Sequence, residues 1–103
     1  MKLMGKAALV TGAGGGLGGA IAKRFAAEGA SVLCTDRDLA KAEFTVTKIT
    51  KDGGTASAFA ANVSEASDCE AQVDETIQRY GHIDIAVNNA GVALHRLALE
   101  TSL

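Results

Sequence analysis

Two rhythms of apolar and polar residues alternate along this chain. Short apolar runs at residues 6–10, 31–35, 55–60 and 83–87 read as strands. A continuous apolar run is the mark of a strand buried on both faces. Between them, apolar residues recur every three or four positions, the spacing of a helix with one buried face. Leu17, Ile21 and Phe25, with Glu28, mark a first helix over 17–28, and Gly29 stands where a C-terminal glycine cap belongs. A second helix runs to about Lys51, with Asp38 as its cap and Leu39, Ala42, Val46 and Ile49 as its apolar stripe. Thr45, Val46 and Thr47 lower its propensity, so tertiary packing must hold it. In the third, Ser64 or Ser67 is the cap, Ala66, Cys69, Val73, Ile77 and Tyr80 are the buried stripe, and Gly81 is the stop. The strand at 55–60 is poor in large side chains and is expected at a sheet edge.

Short loops between alternating strands and helices imply a parallel sheet with right-handed crossovers. The expected fold is α/β: a Rossmann-type parallel sheet with helices on both faces. It corresponds to the first half of that architecture, β-α-β-α-β-α-β with strand order 3-2-1-4, in a single domain over residues 1–103. The order reverses between strands 1 and 4. A ligand is expected in the crevice there, where the loop at 12–18 faces the loop at 88–91.

The loop after strand 1 reads Thr11-Gly12-Ala13-Gly14-Gly15-Gly16-Leu17-Gly18. Free N–H groups and the helix dipole make such a turn an anion site, and glycines let a ligand approach the backbone. A pyrophosphate is the expected guest. The pattern that fits without strain is Thr-Gly-x-x-x-Gly-x-Gly, on Thr11, Gly12, Gly16 and Gly18. There is no Gly-Lys-Ser/Thr, which excludes a Walker-type loop. Asp36, 24 residues after Gly12, ends strand 2, where an acid can accept hydrogen bonds from adenosine ribose hydroxyls. Its charge would repel a 2′-phosphate, favouring NAD over NADP. Gly15 offers no cation to a phosphate, whereas Arg37 does.

Composition narrows the picture. The net charge of −2 gives no basic surface for nucleic acid, and no run approaches the ~20 apolar residues of a membrane span. The apolar run near the N-terminus is short and broken by Gly5-Lys6, unlike a signal peptide. Cys34 and Cys69 have no metal or C-x-x-C spacing and read as small fillers in a reduced compartment, with the cytosol as the expected location. His82 and His95 have no metal or triad partner pattern, so no metal site is expected.

In this order, Thr11-Gly12-x-x-x-Gly16-Leu17-Gly18, Asp36, Asn62-Val63 and Asn88-Asn89-Ala90-Gly91 resemble a short-chain dehydrogenase/reductase over essentially the whole chain. The resemblance implies that Gly12, Gly16, Leu17 and Gly18 line the pyrophosphate of NAD. Asp36 would hold the ribose, with Arg37 beside it, and Asn62 and Val63 the adenine edge. Asn89, Ala90 and Gly91 would border the ribose from the strand 4 side. Asn62 departs from the family's more frequent Asp, but its amide oxygen can still accept from the adenine amino group. The implied reaction moves hydride between NAD(H) and a small alcohol or ketone. The family's Tyr-x-x-x-Lys and Ser are not matched: the one tyrosine, Tyr80, is followed four residues later by Asp84 and falls on a buried stripe. No catalytic residue is therefore assigned, and the chain alone is expected to be inactive.

Thr101-Ser102 resembles a helix cap without its helix, so the sequence reads as cut. A cut sheet would leave strand 4 an open edge, and self-association is expected, as is a homo-oligomeric parent. Two other readings stand beside the enzyme fragment. One is a dinucleotide-binding or interaction module without catalysis. The other is an S-adenosylmethionine-dependent methyltransferase, which also uses a glycine loop and an acid after strand 2; Asn-Asn-Ala-Gly speaks against it.

Overall fold

A computed structural model of the chain describes residues 2–62 and 66–89. Seven elements follow one another: β1 (Ala7–Thr11), α1 (Gly16–Ala27), β2 (Ser31–Asp36), α2 (Leu39–Lys51), β3 (Thr55–Ala60), α3 (Ala66–Tyr80) and β4 (Ile85–Asn88). The four strands form one parallel sheet in the order β3-β2-β1-β4. This is the Rossmann-like arrangement expected, with β3 at an edge.

The period of two in the strands divides the sheet into two unlike faces. Ala8, Val10, Val32 and Cys34 point to one face, where Ala22 and Ala26 of α1 and Ile49 of α2 complete a dry alkyl core. The neighbouring positions point to the other face and meet α3. There Thr35 contacts Gln72, and the Tyr80 hydroxyl donates to the Val32 carbonyl at 3.1 Å and meets Ser57 Oγ at 3.0 Å. Helices thus cover both faces. Packing joins α1 and α2 on the first; on the second, Ala7, Leu9 and Leu33 are buried and polar contacts add to the docking of α3.

Several helix faces differ from those the apolar spacing predicts. On α1 the buried residues are Gly18, Gly19, Ala22 and Ala26, while Leu17 is 68% exposed. Small residues let the helix lie close to the sheet, and the larger Ile21 and Phe25 pack at its flank. On α2, Ala42 and Ile49 are buried as expected, but Thr45 replaces Leu39 because its hydroxyl donates to the Ala13 carbonyl at 2.6 Å. On α3 the fully buried residues are Gln72 and Thr76, and Ile77 is 42% exposed. Hydrogen bonds to the sheet and to the helix's own backbone make burial of these polar side chains tolerable. Ser67 lies inside α3 and is not its cap; Ser64 falls outside the described residues. Asp38 caps α2 as expected, accepting from the N–H groups of Ala40 and Lys41.

The fourth strand begins two residues later than the apolar run. Asp84 instead joins the start of β1, accepting from Ala7 N at 2.9 Å and donating its own N–H to the Ala7 carbonyl. His82 is exposed and its Nε2 lies 2.9 Å from the Asp84 carboxylate.

Cys34 is fully enclosed in the alkyl core, and burial pushes its thiol up to about 12. In the unfolded chain the thiol ionises at its ordinary, lower value. Between these values the unfolded state has lost a proton that the folded state keeps, so stability falls as pH rises through that window. Urea unfolding at about pH 8 and about pH 10.5 should show this decline, and Cys34→Ala should make it shallower. An equally steep decline in the variant would remove Cys34 as its cause.

Candidate functional site

The carboxyl ends of β1, β2 and β4 meet at the start of α1. Gly12 and Gly16 have φ of 61° and 56°, a left-handed backbone that favours glycine. Gly15 stands at the N-cap of α1, where no side chain caps the helix. Gly15, Gly16 and Leu17 are exposed, and a Cβ on Gly15 or Gly16 would meet nothing within 4 Å. An uncapped helix start beside open space is the geometry an anion needs. Gly18 differs: it is buried, and a Cβ there would collide with the Gly12 carbonyl and lie 2.7 Å from Asn89 Nδ2. The loop and helix are in contact at that point, so Gly18 shapes the cradle from behind.

Asp36 ends β2, and its carboxylate reaches the same loop. Oδ2 accepts from Gly14 N and Oδ1 from Asp38 N, both at 3.0 Å. A side chain on Gly14 would strike Asp36 Oδ2 at 2.6 Å. Arg37 is exposed next to it in sequence. Asn62 follows β3, two residues past the Asp36–Ala60 pairing, and its N–H donates to Asp68 Oδ2 at 2.8 Å. On the β4 side, Asn89 Nδ2 approaches the Gly12 carbonyl at 3.4 Å. Gly12, Gly16, Leu17, Gly18, Asp36 and Asn89 are thus gathered at one end of the sheet, with Asn62 at its β3 margin. Val63, Ala90 and Gly91 lie outside the described residues.

Thr11 contributes more than its place in the motif indicates. Its hydroxyl donates to Asn88 Oδ1 at 2.9 Å and accepts from Asn89 N at 3.0 Å. It therefore ties the loop after β4 to the end of β1. The adjacency of Thr11 and Asn88 across the predicted order 3-2-1-4 was the available signal for this contact. Gly14 and Thr45 are the other supporting residues the motif reading missed: one anchors Asp36, the other holds the Ala13 carbonyl.

Tyr80 lies away from this end, against Val32 and Ser57, and burial pushes its hydroxyl above the usual phenol range. Among the described residues no group of three His, Cys, Asp or Glu could hold a metal ion, and no helix is long and apolar enough to cross a membrane. A cavity of about 210 Å³, lined in part by Lys23, Ile49 and Gly54, sits at the opposite ends of α1 and α2.

This geometry agrees with the comparison to known proteins. The model of the short chain dehydrogenase family matches residues 6–103, and the chain belongs to that family. It is 41% identical over 102 residues to D-threitol dehydrogenase of Mycolicibacterium smegmatis, covering 99% of this chain and 39% of that protein. Among solved structures, hydroxysteroid dehydrogenase from Escherichia coli superposes with a TM-score of 0.85 at 41% identity, over 88% of this chain and 39% of that one. A metagenomic short-chain oxidoreductase in complex with NADP gives a TM-score of 0.83 at 37% identity, over 89% and 42%. The chain thus spans about two fifths of the length of these relatives.

The contrast between two neighbouring glycines is directly testable. Gly18→Ala forces a Cβ into the Gly12 carbonyl and should destabilise the fold by about 1–3 kcal/mol, the usual range for overpacking. Gly15→Ala, at φ 173° and in open space, should be nearly neutral. Chemical denaturation of both variants checks this; equal stabilities would contradict the close approach.

Proposed function

We propose that this chain is the NAD(H)-binding portion of an oxidoreductase that moves hydride between NAD(H) and an alcohol or ketone. The observation that carries the reading is the Asp36 carboxylate, held against the glycine loop at the tip of β2. The residues fit a dinucleotide: open space over Gly15 and Gly16 suits a pyrophosphate, and the uncapped start of α1 turns N–H groups toward it. Gly12, Gly16, Leu17 and Gly18 would border the pyrophosphate. Asp36 would accept from the ribose hydroxyls, with Asn62 and Val63 at the adenine edge and Asn89, Ala90 and Gly91 along the β4 side. The bound dinucleotide would supply or accept the hydride. The protein's part in this portion is to hold the adenosine and pyrophosphate still.

Asp36 also supports preference for NAD(H), since a 2′-phosphate would bring negative charge toward its carboxylate. Arg37 is the nearest counterweight in sequence. The NADP in the metagenomic relative belongs to that protein. Calorimetry with both dinucleotides tests the preference, and equal or tighter binding of NADP(H) would transfer the role to Arg37. Asp36→Ala should weaken NAD binding by about 1.5–3 kcal/mol, the range for hydrogen bonds to charged groups. Because Asp36 also accepts from Gly14 N and Asp38 N, the variant should lose some stability as well.

By itself the chain should reduce no ketone. Tyr80 has its hydroxyl engaged in the α3 layer and has no lysine four residues on, so it is no acid–base group for a carbonyl. Its location in a cytoplasmic compartment and its self-association through the outer edge of β4 belong to the same reading. Light scattering tests the self-association, and an NADH oxidation assay with a panel of ketones tests the absence of turnover. A monodisperse monomer would argue against edge pairing, and turnover at the rate of full-length relatives would refute the inactive-portion assignment.

A further inference from the structure

Gln72 is 1% exposed in the middle of α3, a place where an alkyl side chain would ordinarily serve. Its carboxamide oxygen accepts from Thr35 Oγ1 at 2.5 Å, and its Nε2 donates to the Asp68 carbonyl at 3.2 Å. Thr35 is the last fully buried residue of β2. Its carbonyl accepts from Ala13 N at 2.9 Å, and the carboxylate of the next residue, Asp36, accepts from Gly14 N. One turn earlier in α3, the Asp68 carboxylate holds the Asn62 N–H. A single stretch of α3 therefore reaches both loops on the adenosine side from beneath, through Thr35 to the glycine loop and through Asp68 to Asn62.

We propose that Gln72 is a positioning residue for the adenosine end of the dinucleotide site, acting through Thr35 on Asp36. This rests on the dinucleotide-binding reading above. Burying a carboxamide is costly unless its hydrogen bonds are made, and once made they are directional. An alkyl side chain would fill the same space but would leave the Thr35 hydroxyl with only its longer existing contact, to the Val10 carbonyl at 3.5 Å. The end of β2 would then lose its link to α3, and the Asp36 carboxylate would be less firmly aimed.

The test uses ADP-ribose, which carries the adenosine and pyrophosphate without nicotinamide, in competition with NADH followed by NADH fluorescence. Gln72→Leu should melt cooperatively yet bind ADP-ribose about fivefold more weakly, the loss of roughly one neutral hydrogen bond's worth of positioning. Thr35→Val should show the same loss, while Thr35→Ser, which keeps the hydroxyl, should bind like the wild type. A merely structural role would lower the melting temperature in both apolar variants without that selective rescue of affinity. Folded Gln72→Leu with wild-type affinity for ADP-ribose overturns the inference. If Gln72→Leu does not fold, wild-type affinity in Thr35→Val overturns it equally. Wild-type protein that binds neither NADH nor ADP-ribose refutes the dinucleotide reading itself, and the inference with it.

Discussion

There is no room for one carbon atom between the Gly12 carbonyl and the α-carbon of Gly18. That contact determines where α1 starts relative to β1, and much else depends on it. With the loop and helix pressed together, the first turn of α1 opens to solvent without a side-chain cap, while Ala22 and Ala26 lie directly on the sheet. Larger residues at these positions would lift the helix and separate its N-terminus from the ends of β1 and β4. The exposed Leu17 and the buried alanines are therefore two results of one requirement for close approach.

The loops around this point are held by hydrogen bonds from different directions. Thr11 links β1 to the segment after β4, Thr45 reaches Ala13 from α2, and Asp36 reaches Gly14 from the end of β2. No single bond among these is strong, each contributing on the order of 1 kcal/mol or somewhat more where a carboxylate accepts. Together they fix a glycine-rich segment whose own conformational preferences are weak. Rigidity of this kind matters for binding, because a loop already ordered loses less entropy when a ligand arrives.

Much of this was legible in the sequence. Apolar runs placed the strands to within a residue or two, and the glycine motif, Asp36 and Asn89 named residues that the fold brings to one end of the sheet. The misreadings have a common physical source. Apolar spacing identifies a buried face only when large apolar residues do the packing. In α1 the packing residues are glycine and alanine, which carry little hydrophobic signal, and in α3 they are Gln72 and Thr76, which carry the opposite one. The supporting contacts of Gly14 and Thr45 depend on which strand ends and helix turns become neighbours, information that residue spacing along the chain does not hold. The late start of β4 has the same origin, since Asp84 serves β1 across the sheet.

The place of Tyr80 at the end of α3 has an optical consequence. The chain contains no tryptophan and one tyrosine, and that tyrosine is anchored by its hydroxyl to β2 and β3. Tyrosine absorbance and tyrosine emission of the folded protein therefore originate beside the seam between α3 and the sheet. Transfer of the phenol from a hydrogen-bonded, half-buried setting to water changes both signals, so the protein carries a built-in reporter for the docking of one helix. The alkyl layer of α1 and α2 holds no tyrosine, the phenylalanine packed against it being Phe25. A tyrosine signal followed during unfolding would thus trace the α3 face of the sheet, and comparison with far-ultraviolet dichroism would reveal whether the two faces come apart together or in sequence.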